Sequence, residues 1–570
     1  MPVINAPHNL LDKSADAAIR DEPVSGRSKY FYLFESLADK ESAGLFPGTT
    51  EEETGFKLMD FEIAHGVTGG SAETKLLQLP AAYTYFGQFL NHDISAPVGG
   101  LLVNLRKTDP EGIIGTVDPA GLGKNARATT AKILDHFENE HDQPMTLASL
   151  YGDGPKSRDA EIASLYAPDG MRFVLGATHR LSDLDLKPFE ILPANLKHRT
   201  GAKDIPRQRD FQSGKAIPLI ADRRNDGNLI LSQLHLAFLM IHNRAVTLLA
   251  DQYPGDANAC FAAARALVTR HYHWLILNDF LPSLLSRKVL GRPLAEWVIK
   301  TTPHRTKAPK GLVPLEFTTA AFRFGHSMVS GRYDFNENFG IESGNSASLQ
   351  QLFDFTSRNN MGDQGGEKGQ LPDHWVIDWD RMTAPPRKGA DGAEQIDLTL
   401  TQVMLTAVGE DRVLAHSSIM FRNLLRGFHR RIPFGQVLAR EYGIDQLSPG
   451  QVEAAIPDQS AFHPDGYRMV PADIPMNLRA VSKALGIHVD TPAWLYMLVE
   501  AQLDGGQRLG PTASHIILDT IIGLMRQNPA SVLKYKDGNW HPRDSVLKGK
   551  NDKPLDSLRS FLLFATEDVN

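Results

Sequence analysis

Cysteine is almost missing from this sequence. Of its 570 residues only Cys260 carries a thiol, so no disulfide can form within the chain. This excludes the small secreted domains that are held together by disulfides, and it fits a reducing compartment. The first residues, from Met1 to Asp16, also lack the apolar stretch of a cleavable signal peptide. We therefore expect a cytoplasmic protein, or one that is exported without such a peptide.

An excess of basic residues is missing as well. The chain has 60 Lys and Arg against 67 Asp and Glu, a net charge of −7, so it has no basic footprint for a nucleic-acid partner. No run approaches the ~20 apolar residues that cross a bilayer, and we expect no transmembrane segment. With 42% hydrophobic and 22% charged residues, the composition is that of a globular protein with a large core.

Alternating strand patterns are scarce, whereas helical patterns dominate the chain. Apolar residues recur at helical spacing over residues 229–251, 257–285, 397–426, 434–442, 476–486, 491–503 and 512–527. Residues 1–74 lack a clear helical spacing of apolar residues, and we interpret them as an irregular polar extension. The sequence predicts a mainly α fold with few short strands, formed by a single large helical domain over residues 75–570.

The most informative segment is Phe86–Asp93. Gln88 and His92 are four residues apart, so in a helix they project from the same face, with Asn91 beside them and Asp93 pointing away. An imidazole beside an amide suits a small polar pocket in which one group moves protons and the other positions a ligand.

A second histidine stands in an unusual setting downstream. His326 lies within Ala321–Met328, among a glycine, aromatic residues and Arg323. Two histidines that are far apart in sequence can face each other across a haem, one binding the iron and the other acting on the ligand. The metalloprotease motif His-Glu-x-x-His is missing, which disfavours a zinc hydrolase.

Together these segments resemble the animal-type haem peroxidases, members of the peroxidase–cyclooxygenase superfamily that includes myeloperoxidase. In that family a Gly-Gln-x-x-Asp-His-Asp segment carries the distal histidine, and an Arg-Tyr-Gly-His-like segment carries the proximal one. The resemblance covers roughly residues 75–525 and is that of a bacterial-looking member. It implies that His326 is the axial ligand of the haem iron.

On the distal side, the resemblance implies that His92 is the acid–base group and that Gln88 orients ligand or water. A guanidinium that stabilises charge on the departing oxygen would come from the polar segment 221–229. The register of the downstream His-Asn-Arg at 242–244 matches Arg224 to the family's distal arginine. Arg223 is the competing choice.

On the proximal side, the segment 422–427 resembles the family's Asn-x-x-Arg-Gly. The resemblance implies that Asn423 accepts the proton of His326, since the second nitrogen of a metal-bound imidazole needs a partner. Arg426 and Arg323 would each pair with a haem propionate.

Two family features are altered. Where mammalian members esterify the haem through carboxylates, this chain has Asn91 and Gly227, with Asn228 at the adjacent methionine position and Asp226 one residue out of register. We therefore expect haem b without covalent links, and strong halide oxidation is in doubt.

The calcium site of the family is also depleted. The distal aspartate is Asp93, but in the loop that would complete the site Thr146 replaces an aspartate and Ala148 replaces a serine. Calcium prefers several oxygen ligands, carboxylates among them. Asp93 and Asp142 are left as candidate ligands.

The resemblance implies a haem-dependent peroxidase that reduces hydrogen peroxide or an organic hydroperoxide and oxidises a small-molecule or lipid donor. One alternative is a haem-dependent fatty-acid dioxygenase, which is disfavoured because Arg323 occupies the position of the cyclooxygenase radical tyrosine. A non-catalytic haem-binding protein is the other. The sequence does not give the oligomeric state.

Overall fold

The computed structural model describes residues 28–68, 76–96, 127–141, 145–180, 196–210, 216–290, 312–356, 369–386, 392–401, 404, 418–458, 467–475, 477–528, 531–534 and 540–567. These parts are mainly helical, with a few short strands, which confirms the predicted fold class. Asp142, one of the two candidate calcium ligands, lies outside the described residues.

The longer helices are α1 (Glu51–Thr68), α2 (Ala82–Ile94), α3 (Thr130–His136), α4 (Leu229–Leu249), α5 (Ala257–Leu275), α6 (Ile419–His429), α7 (Gly435–Glu441), α8 (Pro449–Ala455), α9 (Leu478–Leu485), α10 (Ala493–Leu503), α11 (Pro511–Gln527) and α12 (Leu558–Thr566). Short α-helical segments lie at Glu35–Ala38, Ala148–Tyr151, Ala160–Ala163, Leu281–Leu284, Arg287–Leu290, Leu315–Thr319, Leu349–Asp354 and Trp379–Met382. Tighter 3₁₀ turns lie at Arg223–Asp226, Ala250–Gln252, Ala321–His326, Asp373–Trp375, Pro542–Asp544 and Lys550–Asp552, and a π-helical turn lies at Ile276–Phe280.

The strands are short, of two to four residues each. They are β1 (Ser28–Phe31), β2 (Glu138–Asn139), β3 (Gly176–Ala177), β4 (Lys203–Asp204), β5 (Arg207–Arg209), β6 (Ala216–Pro218), β7 (Val313–Pro314), β8 (Arg332–Tyr333), β9 (Ala347–Ser348), β10 (Lys548–Gly549) and β11 (Lys553–Pro554). β1 pairs antiparallel with β2 and parallel with β7, and the remaining strands form antiparallel pairs, β3–β4, β5–β6, β8–β9 and β10–β11.

α4 is the central helix of the fold. It begins where the Asn228 side chain accepts a hydrogen bond from the Leu231 amide, which satisfies one of the free amides of the first turn. It packs against α2, α5 and α12. Its sequence is long and apolar enough to cross a membrane by length and composition, contrary to our expectation, but 83% of its most apolar window is buried inside the protein.

The prediction of an irregular N-terminal extension is wrong for residues 28–68. β1 and α1 both belong to the hydrophobic core, and Phe61 of α1 is fully buried. The Glu316 carboxylate accepts hydrogen bonds from the amides of Leu33 and Phe34 at 3.0 and 3.1 Å. The acidic first turn, Glu51–Glu53, concealed the apolar face of this helix in the sequence.

A second prediction, of a helix over residues 397–426, is only partly right. The described residues 392–401 are not helical, and α6 begins after Ser418, whose side chain accepts from the Phe421 amide. Upstream, the Asp397 carboxylate accepts from the Thr399 amide at 2.7 Å. Such local side-chain bonds compete with helix formation.

The fold brings two distant segments together. The 3₁₀ turn Ala321–His326 packs against α2, α10 and α11. The indole nitrogen of Trp494 in α10 donates to the Arg323 carbonyl at 3.2 Å and fixes this turn. The segment of His326 therefore faces that of His92.

Candidate active site

A cavity of about 870 Å³ lies between α2 and the 3₁₀ turn Ala321–His326. The residues that line it are Tyr83, Thr84, Tyr85, Gly87, Gln88, Asn91, His92, Asn228, Phe280, Phe322, Arg323, Phe324, Gly325, His326, Met328, Val329, Leu349, Phe353 and Met404. Of the predicted site residues, the walls include Gln88, His92, Arg323 and His326 but not Arg224, Asn423 or Arg426. Its largely aromatic and aliphatic walls, with a few polar side chains among them, suit a large planar cofactor.

The imidazole of His92 is held by a residue that the sequence did not single out. Nδ1 of His92 lies 2.8 Å from Oδ1 of Asn225. The other end of the same amide, Nδ2, lies 3.0 Å from Nδ1 of His235. All three side chains are buried, and Asn225 is fully so.

This pairing sets the tautomer of His92. An amide oxygen accepts, so the proton sits on Nδ1 of His92, and Nε2 is the nitrogen that the ring can present to the cavity as a base. His235 in turn accepts at Nδ1, and burial lowers the pKa of His235 to about 4, which keeps it neutral. The arrangement prepares His92 to take up a proton from the cavity side.

Gln88 is oriented by a second amide. Oε1 of Gln88 accepts from Nδ2 of Asn228 at 3.2 Å, while Oδ1 of Asn228 caps α4. With its oxygen engaged in this way, the Gln88 side chain can offer its NH₂ group to a ligand. Gln88, His92 and Asn228 thus form one polar wall of the cavity.

Arg224 lies beside this wall but faces away from the cavity. Its Nη1 donates to the Ser95 carbonyl and its Nη2 to the His92 carbonyl, both at 2.9 Å. Its Nε and Nη2 also donate to the Asp222 carboxylate, at 2.6 to 3.1 Å. The guanidinium therefore clamps the end of α2, and the competing Arg223 pairs with Glu161 instead.

The charges of the clamp are strongly coupled. Burial raises the pKa of Asp222, but the adjacent Arg224 guanidinium more than offsets this, and the net pKa of the carboxyl lies well below its usual range. The same carboxylate raises the pKa of Arg224 despite burial. The pair stays ionised, and removing either partner would leave an uncompensated charge.

On the opposite wall, Asn423 contacts His326. Nδ2 of Asn423 lies 2.9 Å from Nδ1 of His326, as the resemblance implied for this pair of residues. For Nε2 of His326 to bind a metal, Nδ1 must carry the proton and donate it to the amide oxygen. A half-turn of the Asn423 amide supplies that oxygen, and Asn423 Oδ1 has no hydrogen-bond partner among the described residues.

Two arginines surround His326. Nε of Arg323 donates to the Thr318 carbonyl at 2.7 Å, and the residue lines the cavity. Burial, and then the charges of Arg323 and Arg426, lower the pKa of His326 well below its usual value. The imidazole is therefore neutral, the state in which it can bind a metal.

The cavity offers no carboxylate for an ester bond. Among the described residues that line it there is no Asp or Glu, and the family's ester positions carry Asn91 and Gly227. Asp226, which is one residue out of register, is buried and does not line the cavity. Its two oxygens accept from Arg207 at 2.6 and 2.8 Å.

The described residues do not complete a calcium site. The Asp93 carboxylate is fully buried, neither of its oxygens makes a hydrogen bond with a described residue, and burial raises its pKa to about 7. Calcium takes several oxygen ligands, and Asp93 is the one candidate carboxylate of the predicted site that the structure describes. The carbonyl of Met145, in the loop that would complete the site, accepts from His273 and Asn528, each at 2.8 Å.

Parts of the chain are similar to known proteins. Residues 183–367, which include Arg224 and His326, match the family model of animal haem peroxidase. Over 260 residues the chain is 26% identical to Peroxidase mlt-7 of Caenorhabditis elegans, covering 44% of this chain and 33% of that protein. It is 29% identical over 158 residues to Chorion peroxidase of Aedes aegypti, covering 27% of this chain and 19% of that protein.

A solved structure supports the fold along almost the whole chain. Peroxidase A from Dictyostelium discoideum superposes with a TM-score of 0.54 at 16% identity and covers 94% of both chains. By contrast, the aligned parts span a third or less of the curated relatives' own length. Residues 183–367 therefore resemble the animal haem peroxidases, and the solved structure shows that the helical fold is shared along almost the whole chain.

Proposed function

We propose that this protein is a haem-dependent peroxidase, which reduces hydrogen peroxide or an organic hydroperoxide and oxidises small donors. The observation that carries the proposal is the pair of histidines on the walls of one cavity. His92 and His326 each have Nδ1 held by a buried asparagine, at 2.8 and 2.9 Å. Each ring is thereby left with Nε2 for the cavity, one as a base and the other as a metal ligand.

The residues of the cavity fit a haem, which is the cofactor of the animal haem peroxidases that the chain resembles. His326 would hold the iron, with Asn423 fixing its ring, and Arg323 and Arg426 would neutralise the propionates. When bound, haem supplies the iron at which the O–O bond of peroxide is reduced by two electrons. The calcium of the family is not part of this proposal.

His92 then carries the proton chemistry. Peroxide must lose a proton from one oxygen and gain a proton on the other before water can leave. Nε2 of His92 can take the first proton while Nδ1 keeps its bond to Asn225, and it can return that proton to the departing oxygen. Gln88 is positioned to hold peroxide or water beside it through its NH₂ group.

The structure changes the role that we propose for Arg224. The Arg224 guanidinium was expected to stabilise the departing oxygen, but its donors are engaged by two backbone carbonyls and Asp222. We therefore assign Arg224 to positioning the end of α2, and with it His92.

We also propose that the haem is b-type and held without covalent links. The support is the amides and glycine at the ester positions, together with the engagement of Asp226 by Arg207. The mechanism therefore does not depend on the distorted haem that ester links produce, and halide oxidation is not part of the proposal.

The test is peroxide-dependent oxidation of a colourless phenol by haem-loaded protein. His92→Ala should slow the rapid peroxide step by ~10²–10⁴-fold, whereas His541→Ala should match the wild type because His541 does not line the cavity. A haem-loaded wild-type protein that does not consume peroxide would refute the proposal in favour of a non-catalytic haem protein. Oxygen uptake with a fatty acid, without donor oxidation, would favour the dioxygenase instead.

A further inference from the structure

We infer that His198, Asp373 and His374 form a binding site for a divalent transition-metal ion, with Zn²⁺ as its best occupant. One ligand atom from each side chain lies within 4.8 Å of the other two. None of the three lines the haem cavity, so the site is separate from the one described above.

The three side chains come from two segments of the chain, and hydrogen bonds to backbone groups hold these segments beside each other. Asp373 and His374 belong to the 3₁₀ turn Asp373–Trp375, and the Asp373 amide donates to the His179 carbonyl at 2.8 Å. His198 precedes β4 in a separate stretch of chain. Asn338 connects the two, because its Nδ2 donates to the carbonyls of Lys197 and His374, at 2.8 and 3.2 Å.

That connection is reciprocal. Oδ1 of Asn338 accepts from the Lys197 amide at 2.8 Å, and Nδ2 of Asn336 donates to the His374 carbonyl at 2.9 Å. The backbone on both sides of the cluster is therefore fixed before any ion binds. A preorganised ligand set loses less conformational freedom when it binds its ion.

The donor set is chemically selective. Two imidazole nitrogens and one carboxylate oxygen suit Zn²⁺ and its neighbours in the transition series, whereas Mg²⁺ and Ca²⁺ prefer oxygen ligands only. Asp373 and His374 are almost fully buried, at 2% and 1% exposed. The His198 side chain is 18% exposed, which opens one side of the cluster to water as a fourth ligand.

The distances require only a small adjustment. Nδ1 of His198 lies 2.7 Å from Oδ1 of Asp373, and Nδ1 of His374 lies 3.9 Å from the same oxygen. Ligands about 2.0–2.1 Å from a tetrahedral zinc are separated from each other by roughly 3.3 Å. The first contact must therefore open and the second close, each by less than about 1 Å.

Binding exchanges one interaction for another. In the metal-free protein Nδ1 of His198 donates to Asp373. When zinc binds Nδ1, the imidazole proton moves to Nε2 and the carboxylate keeps its charge to offset that of the ion. The ion would connect the segment of His198 to the turn that contains Trp375. The Trp375 ring stacks on that of Phe339, with the ring centroids 3.9 Å apart. We therefore assign the ion a structural role.

The experiment uses untagged full-length protein, freed of metal by a chelator. Titration with Zn²⁺ followed by calorimetry should give one equivalent bound, and melting temperature should rise on binding. Co²⁺ should give the visible absorption of a tetrahedral ion, while Mg²⁺ and Ca²⁺ should bind no more than weakly.

The matched variants are His198→Ala, Asp373→Asn and His541→Ala. The first two should weaken zinc binding at least tenfold and abolish the cobalt spectrum, and the third should leave both unchanged. His198→Ala is the decisive variant because its side chain is partly exposed and its loss should not unfold the protein. Binding that is as tight in His198→Ala as in the wild type, or no saturable zinc binding by the wild type, would overturn the inference and leave a simple His198–Asp373 hydrogen bond.

Discussion

Oδ1 of Asn225 lies 2.8 Å from Nδ1 of His92, and the same amide reaches Nδ1 of His235 at 3.0 Å. The contact joins a 3₁₀ turn to α2, and it fixes both the orientation and the proton of the proposed acid–base group. A neutral amide in this place leaves His92 free to change its own charge during turnover.

Replacing Asn225 should therefore alter the chemistry of His92. In Asn225→Ala the ring loses its acceptor, and we expect the rate with peroxide to fall on the order of 10–100-fold, as for other groups that orient an active imidazole. In Asn225→Asp the ring keeps an acceptor, but the carboxylate favours the protonated imidazole, so the acid limb of the pH–rate profile should move to higher pH. Unchanged rates and pH profiles in both variants would show that Asn225 is only a packing residue.

Arg224 should be needed for stability as much as for rate. Its guanidinium binds Asp222 and two carbonyls at the end of α2, so Arg224→Ala leaves a carboxylate that is only 11% exposed without its partner. We expect a loss of about 3 kcal/mol in the free energy of unfolding. Urea denaturation measures this, with Arg223→Ala as the control, because that residue pairs with the more exposed Glu161.

The opposite result would return Arg224 to its expected role. If Arg224→Ala keeps the wild-type stability and haem content but slows the peroxide step by ~10²–10³-fold, the guanidinium must reach the peroxide during turnover. Stopped-flow kinetics on the same variant decide between the two roles.

Asn423 should tune the iron ligand rather than hold it. In His326→Ala the haem should be lost or its absorption spectrum changed, because no other described cavity residue offers an imidazole on that wall. In Asn423→Leu the haem should be retained, with a changed reduction potential, because the His326 ring loses its hydrogen-bond partner at Nδ1. A reduction potential equal to that of the wild type would contradict a contact between Asn423 and His326 when His326 binds the iron.

The haem should leave the protein in acidified organic solvent. The cavity offers amides and a glycine where ester bonds would form, and Asp226 is bound to Arg207. After denaturation, mass spectrometry should find the mass of the chain alone. A protein-plus-haem adduct would refute the non-covalent attachment, and a peptide map would identify the linked residue.

Local periodicity was sufficient to predict much of this site. The spacing of Gln88 and His92 placed them on one helix face, and both line the cavity. The helices at 229–249 and 257–275 followed in the same way from their apolar repeats. Such patterns depend on residues within a few turns of each other, and the sequence contains them in full.

Contacts between distant segments were not predictable in this way. Asn225 lies next to Arg224 in sequence, but only the packing of its turn against α2 brings it to His92. Arg224 matched the family's register, whereas its partner Asp222 and the carbonyl of Ser95 direct its side chain elsewhere. Residue identity gave the position of these groups in the chain, but tertiary contacts decide where each guanidinium or amide points.

The free energy of unfolding should fall in acid, because buried histidines resist protonation. Burial lowers the pKa of several histidines to about 4, namely His65, His141, His235, His242, His273, His374 and His429. Each is neutral when folded and protonates near 6.5 when unfolded, so its stabilisation is complete above pH 6.5 and is lost as the pH falls towards 4.

Burial has the reverse consequence for Glu316 and Glu500, whose pKa rises to about 7, and for Glu394, whose pKa rises to about 8. Their stabilisation is lost as the pH rises through those values.

Stability should therefore pass through a maximum near pH 6.5. Each histidine contributes roughly 1.4 kcal/mol per pH unit on the acid side, and the histidines outnumber the carboxyl groups that oppose them. Urea denaturation at pH 5.0, 6.5 and 8.0 should give the largest free energy of unfolding at the middle value. Glu394→Gln should remove part of the decline between pH 6.5 and 8.0 and steepen the rise from pH 5.0 to 6.5, because the wild-type carboxyl opposes the histidines from its ordinary pKa of 4.5 up to about 8. A free energy of unfolding that does not rise from pH 5.0 to 6.5 would show that these histidines do not remain neutral in the folded protein.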